Sequence, residues 1–191
     1  MKKLVVAITC FLFAQGAMAQ KELLSLNENN KYIYYQVVEQ PGLTADAMYS
    51  RELNFLRTAY PKLSIKPDKA NKNISGTGKF VVTSVVLLKH EDGELSFTYS
   101  IENKEGKYRY WITAFVFTPY QRDRYGNSVP QPGIAIPLED SSKFNKKDRE
   151  GYLDQTALFC KQLEEKLKLY IINAPAPKKE EISKKIVTDK W

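Results

Sequence analysis

The spacing of hydrophobic and polar positions changes several times along the chain, and each change marks an element. From Lys31 to Glu39 the residues Tyr32, Ile33, Tyr34, Tyr35, Val37 and Val38 crowd together before Pro41-Gly42, which predicts a first strand. Thr44 then offers an N-cap hydroxyl, and Asp46 puts a negative charge in the first turn, where the helix dipole favours it. Behind them Ala45, Met48/Tyr49, Leu53, Leu56 and Tyr60 recur every three to four residues, the stripe of a helix that Pro61 ends. Lys62 to Lys66 predicts a short second strand closed by Pro67-Asp68. A third begins near Lys72 and runs through Val81-Val82-Thr83-Ser84-Val85-Val86. Gly76 and Gly78 interrupt it and read as bulges or as places where another backbone comes close. Gly76-Thr77-Gly78 is too short for a phosphate-binding loop.

Glu91-Asp92-Gly93-Glu94 reads as a turn. After it Leu95, Phe97, Tyr99 and Ile101 alternate with Ser96, Thr98, Ser100 and Glu102, a strand with one buried and one wet face. Asn103 to Gly106 turns the chain into a strand from Lys107 to Thr118. This carries Tyr108, Tyr110, Ile112 and Val116 on one side and Arg109, Trp111, Phe115 and Phe117 on the other. Apolar on both faces for half its length, it is either covered on both sides or presents its second face as a binding surface. The proline-bearing stretch from Pro119 to Asn145 predicts a long irregular loop, functional or mobile. Asn145 then caps a long helix with Asp148 and Glu150 near its start. Its stripe is Leu153, Thr156/Ala157, Cys160, Leu163, Leu167 and Tyr170/Ile171, and Ala174-Pro-Ala-Pro177 ends it. Strand, helix, a run of strands, then helix predicts an α+β domain over residues 31–173, an antiparallel sheet with two helices packed on one face.

Composition adds a compartment. The 43% hydrophobic content and mean hydropathy of −0.44 exclude a disordered chain and a multi-span membrane protein. Residues 1–19 open with Lys2 and Lys3, continue with an apolar run from Leu4 to Ala14, and end in Ala17-Met18-Ala19. These are the three parts of a secretory signal peptide, with cleavage expected between Ala19 and Gln20. Residues 20–30 are a polar lead, and 174–191 a Pro/Ala linker with a charged tail. The expected location is the periplasm of a Gram-negative envelope or the cell surface. Cys10 lacks the lipoprotein context and leaves with the signal, so Cys160 stands alone and no disulfide forms within the mature chain. Loss of Lys2 and Lys3 lowers the formal charge of +7 by two units, a mild basic excess.

The order of elements resembles that of exported bacterial proteins classed as a domain of unknown function with a TATA-binding-protein-like (TBP-like) fold. The resemblance rests on the helix ending in Tyr60-Pro61, on Asn73-Ile74-Ser75-Gly76-Thr77-Gly78, and on the pair Phe97-Thr98-Tyr99-Ser100-Ile101 and Gly106-Lys107-Tyr108-Arg109-Tyr110. It covers roughly Lys31 to Ile171 and implies a β-α-β4-α domain, but no activity. Fold analogy to a DNA-binding protein does not warrant DNA binding.

The inventory for catalysis is thin. His90 is the single histidine and sits in the turn segment Lys89-His90-Glu91-Asp92, so any Ser-His or Cys-His arrangement depends on it. Zinc sites of the usual kinds need several Cys or His, and Glu91, Asp92 and Glu94 do not have the spacing of an EF-hand loop. No cofactor and no metal is expected. The expectation is a non-enzymatic binding module for an envelope protein, peptide or glycan, using the open sheet face or the 119–137 loop. Its contact residues are Trp111, Tyr120, Arg122, Arg124 and Tyr125, because Tyr, Trp and Arg combine contact area with polar tips. Two alternatives stay open: an envelope hydrolase working through two carboxylates distant in sequence, and weak polyanion binding suggested by a pI near 9.2. Nucleic acid is not expected for an exported chain, no membrane span is expected to persist after signal cleavage, and the sequence does not set an oligomeric state.

Overall fold

In the computed structural model, residues 23–84 and 90–174 are described; residues 1–19, expected to be a signal peptide, Val85-Val86 and the tail beyond residue 174 lie outside them. The described residues form β1 (Ser25–Leu26), β2 (Tyr32–Glu39), α1 (Ala45–Ala59), β3 (Ser64–Asp68), β4 (Asn73–Thr83), β5 (Glu91–Lys104) and β6 (Lys107–Arg122). Then come β7 (Ser128–Pro130), β8 (Ile136–Pro137), a 3-10 turn at Ser141–Lys143 and α2 (Lys146–Asn173). The sheet runs β1-β2-β6-β5-β4-β3, with β7 and β8 also paired to β6. Every pairing is antiparallel. The principal elements follow the β-α-β4-α order.

Both helices start where their caps predict. Thr44 Oγ1 accepts from the Ala47 N–H at 3.2 Å and Asn145 Oδ1 from the Asp148 N–H at 2.9 Å. On α1 the buried stripe is Ala45, Met48, Tyr49, Glu52, Phe55 and Leu56, so Glu52 and Phe55 point inward where Leu53 was expected. On α2 the buried face runs from Tyr152 and Leu153 through Thr156, Ala157, Cys160, Leu163 and Leu167 to Ile171, as its spacing predicts. The helices meet where Arg51 Nη1 donates to the Ile171 carbonyl at 2.5 Å, placing a cation on the last turn of α2. Beneath them lie Tyr34, Ile74, Leu95, Phe97, Tyr108, Tyr110, Ile112 and Phe115, all essentially inaccessible to water.

Four local expectations need correction. Gly76 and Gly78 are not bulges, because β4 pairs with β5 without interruption from Asn73 to Val82. They are close approaches: a Cβ on Gly76 would lie 1.8 Å from the Ser64 carbonyl oxygen, and one on Gly78 would lie 2.2 Å from Leu63 and 2.6 Å from Phe97. Pro67 does not close β3 but lies within it opposite Ile74, tolerated because β3 is an edge. The Glu91–Glu94 segment is already strand, with Gly93 opposite both Val82 and Pro119.

The fourth correction concerns β6. Its register with β5 shifts between Ser96, opposite Val116, and Thr98, opposite Thr113, so Ala114 and Phe115 together face Phe97. Ala114 takes the left-handed φ of 56° at this bulge. The extra residue reverses the phase of the strand. Tyr108, Tyr110 and Ile112 point to the helices before it, and Phe115 and Phe117 do so after it, while Val116 turns away. The two apolar faces are one core face interrupted by a bulge. The 119–145 segment is also ordered: β6 continues to Arg122, β7 folds back on it, and Leu138 is fully buried with its N–H on the Phe115 carbonyl at 3.1 Å.

Candidate functional site

The sheet face turned away from the helices is the surface the sequence left as a binding candidate. Register builds it in rows. Tyr35, Trp111, Ser100 and Ser75 lie side by side across β2, β6, β5 and β4, and Val37, Arg109 and Glu102 form the next row. Trp111 sits at the centre of the first row. Arg109 donates through Nε and Nη2 to Glu102 Oε2 at 2.7 and 2.5 Å, and its guanidinium carbon lies 5.6 Å from the Trp111 ring centroid. The Glu102 carboxylate raises the pKa of Arg109, and the neighbouring Tyr35 hydroxyl adds to the effect. Tyr35 and Val37 are 47% and 51% exposed, high for large apolar side chains. Val37, Glu102, Lys104, Lys107, Tyr108 and Arg109 bound a depression of about 190 Å³ at the β5–β6 end.

The remaining predicted contact residues lie elsewhere. Tyr120 and Arg122 are on the last turn-ward stretch of β6, opposite Pro130 and Ser128 of β7, and Arg124 and Tyr125 form the tip of that hairpin. Asp123 organises the tip: Oδ1 accepts the N–H groups of Tyr125 and Asn127, both at 2.8 Å, and these bonds lower its pKa. Arg122 Nη1 is tied to the Gly126 carbonyl at 2.5 Å, and the Arg124 guanidinium lies 4.9 Å from the ring centre of Tyr125, itself 74% exposed. Nine steps along one strand separate Trp111 from Tyr120, roughly 30 Å at about 3.3 Å per residue. The five residues therefore form two surfaces.

His90 is exposed, with Nε2 2.8 Å from Asp92 Oδ1, whereas Cys160 is fully buried on α2 and its thiol pKa is pushed up by that burial. Asp92 also accepts from the Tyr152 hydroxyl at 3.0 Å, and Glu94 pairs with Lys79 at 2.9 Å. Among the described residues no group of three or more His, Cys, Asp or Glu side chains could hold a metal ion.

Sequence reasoning missed a polar seam in the core. Glu52 is fully buried, and Asn103 Nδ2 donates to its Oε2 at 2.6 Å. The same Nδ2 reaches the Lys72 carbonyl at 3.1 Å, and Lys72 adopts a left-handed φ of 55°. Burial raises the Glu52 pKa to about 7 against the Asn103 bond, which lowers it. Further along, the Tyr34 hydroxyl donates to Glu164. Burial raises the pKa of Tyr34, Tyr108 and Tyr110, with Glu164 adding to the effect in all three. The only signal for Glu52 was its place among Met48, Tyr49, Phe55 and Leu56.

An antiparallel sheet carrying two helices on one face is the TBP-like arrangement. A TBP-like protein from Parabacteroides distasonis ATCC 8503, solved at 1.90 Å, superposes with a TM-score of 0.61 at 15% identity, over 78% of this chain and 97% of that one. A DUF4468 family protein from Bacteroides ovatus ATCC 8483, solved at 1.49 Å, gives 0.54 at 14% identity, over 82% and 94%. Residues 34–118 match the family model described as a domain of unknown function (DUF4468) with TBP-like fold, the family the sequence resembles. No curated protein matches the chain.

Proposed function

We propose that the protein is a non-enzymatic binding module of the bacterial envelope, exported behind residues 1–19, that holds a protein, peptide or glycan on the open face of its sheet. One observation carries the reading: Trp111, Tyr35, Val37 and Arg109 form a contiguous aromatic, aliphatic and cationic surface on a rigid sheet rather than on a loop. The Tyr125 hairpin tip is a second, separate contact surface, favoured by its exposed ring beneath Arg124.

A photo-crosslinking amino acid placed at Trp111, Tyr125 or Leu158 tests this in the producing cell. Leu158 is 40% exposed on α2 and serves as the control. Adducts to another envelope component from position 111 are the expected result. Adducts from 125 alone transfer the site to the hairpin, and a yield at 158 equal to that at 111 overturns the open-face site. Intact mass of the same protein reports export: a chain starting at Gln20 is expected, and one retaining Met1 overturns it.

A further inference from the structure

The two long edges of the sheet are treated differently by the sequence. On β3 the exposed residues Lys66, Pro67 and Asp68 are the types that discourage another strand from pairing. On the other side β1 covers β2 only at Tyr32 and Ile33, and among the described residues no strand pairs with that side of β2 beyond them. The uncovered stretch, Tyr34-Tyr35-Gln36-Val37-Val38, has neither proline nor charge.

The direction of its backbone groups follows from three bonds. The Lys31 carbonyl accepts from the Asn27 N–H on the β1 side at 2.9 Å. The Tyr32 carbonyl accepts from Thr113 Oγ1 on the β6 side at 2.8 Å, and the Gln40 N–H reaches the Gly106 carbonyl, again on the β6 side, at 2.8 Å. Alternate residues of a strand direct their N–H and C=O to opposite neighbours. Odd-numbered residues therefore face outward, and Tyr35 and Val37 present their donors and acceptors along the uncovered edge.

We propose that this edge is a dimerisation surface on which β2 of a second copy pairs antiparallel, with Gln36 opposite Gln36 on the two-fold axis. The register is self-complementary. Tyr35 falls opposite Val37 of the copy, twice, as hydrogen-bonded pairs, and the two exposed side chains cover each other on the open face. Tyr34 and Val38, opposed on the helix side, are already buried within each copy, so the exposed Tyr35–Val37 pairs carry the match, an aromatic against a β-branched residue, and no like charges meet. Shifting by one residue would oppose core-facing to open-facing side chains. The inference rests on the fold and the edge and does not depend on the proposed envelope function.

Sedimentation velocity of the mature protein over a range of concentrations tests the dimer, and a Gln36→Cys variant tests the register. Opposed residues of a non-hydrogen-bonded pair lie about 4.5 Å apart at Cα, within disulfide reach, and buried Cys160 does not compete. The expected result is a concentration-dependent dimer, linked covalently on mild oxidation of Gln36→Cys. Val37→Pro removes only an outward-facing N–H and should weaken association at least tenfold with an unchanged circular dichroism spectrum. Val37→Lys, which puts a charge on the edge, should do the same and serves if the proline variant does not fold. A protein that stays monomeric at all concentrations overturns the proposal. So does a dimer that neither Val37 variant weakens, or a β2 edge protected from hydrogen exchange only when a different protein is added.

Discussion

Asn103 Nδ2, at the end of β5, donates at 2.6 Å to the carboxyl of Glu52, a side chain of α1 with no exposure to solvent. Oε1 of Glu52 and Oδ1 of Asn103 have no partner among the described residues. A proton held by Glu52 relieves both the buried charge and the shortage of donors, in keeping with its raised pKa.

The sign of the pH dependence follows. The unfolded carboxyl ionises near 4.5, while the folded one keeps its proton until about 7. Between these values the Glu52 site binds more protons in the native state than in the unfolded state, so its contribution to stability is fully present below 4.5 and is lost as pH rises toward 7. The melting temperature of the parent should drop between pH 5 and pH 8. Glu52→Gln, which carries its own donor for Asn103 Oδ1, should flatten that drop and melt higher at pH 8.

Ala114 spends its φ of 56° on a conformation that costs an L-residue about 1 kcal/mol. Ala114→Gly should raise the urea midpoint by about that free energy, and Ala114→Val should lower it by more, since β-branched residues tolerate the left-handed region worst.

Gly76 and Gly106 separate two uses of glycine. Gly106→Ala meets open space but must hold a φ of 72°, a cost of about 1 kcal/mol. Gly76→Ala drives a methyl into the Ser64 carbonyl and should cost about 3 kcal/mol or more, detaching β3 from β4. Urea unfolding of both variants gives the comparison.

Arg51 anchors the end of α2 through the Ile171 carbonyl. Arg51→Met should destabilise the protein by about 1–2 kcal/mol and speed amide exchange in the last turn of α2, leaving its first turns unchanged.

Much of the fold was legible because local chemistry and tertiary role agree. Thr44 and Asn145 cap the helices they were expected to cap, and Leu95, Phe97, Tyr99 and Ile101 alternate into the core. The misses arise where long-range pairing decides. Ala114 has no residue signature of a bulge, so β6 looked apolar on both sides. Gly76 reads alike as a bulge or as a close approach until Ser64 is placed beside it. Of the predicted contact residues, Trp111 lies on the open face as its strand position suggested, but a strand expected to end at Thr118 gave no sign that β6 carries Tyr120 and Arg122 onward to a hairpin far from it. Glu52 escaped because a charged residue inside a helical stripe looks like an interruption of it.

The position of β2 in the sheet also sets an order of events in time. β3, β4, β5 and β6 pair with their neighbours in sequence, whereas β2 must bring Glu39 opposite Lys107 across α1 and that whole meander. Closing so long a loop is entropically slow. The meander is therefore expected to assemble first, with β2 docking on β6 after it and β1, which pairs only with β2, later still.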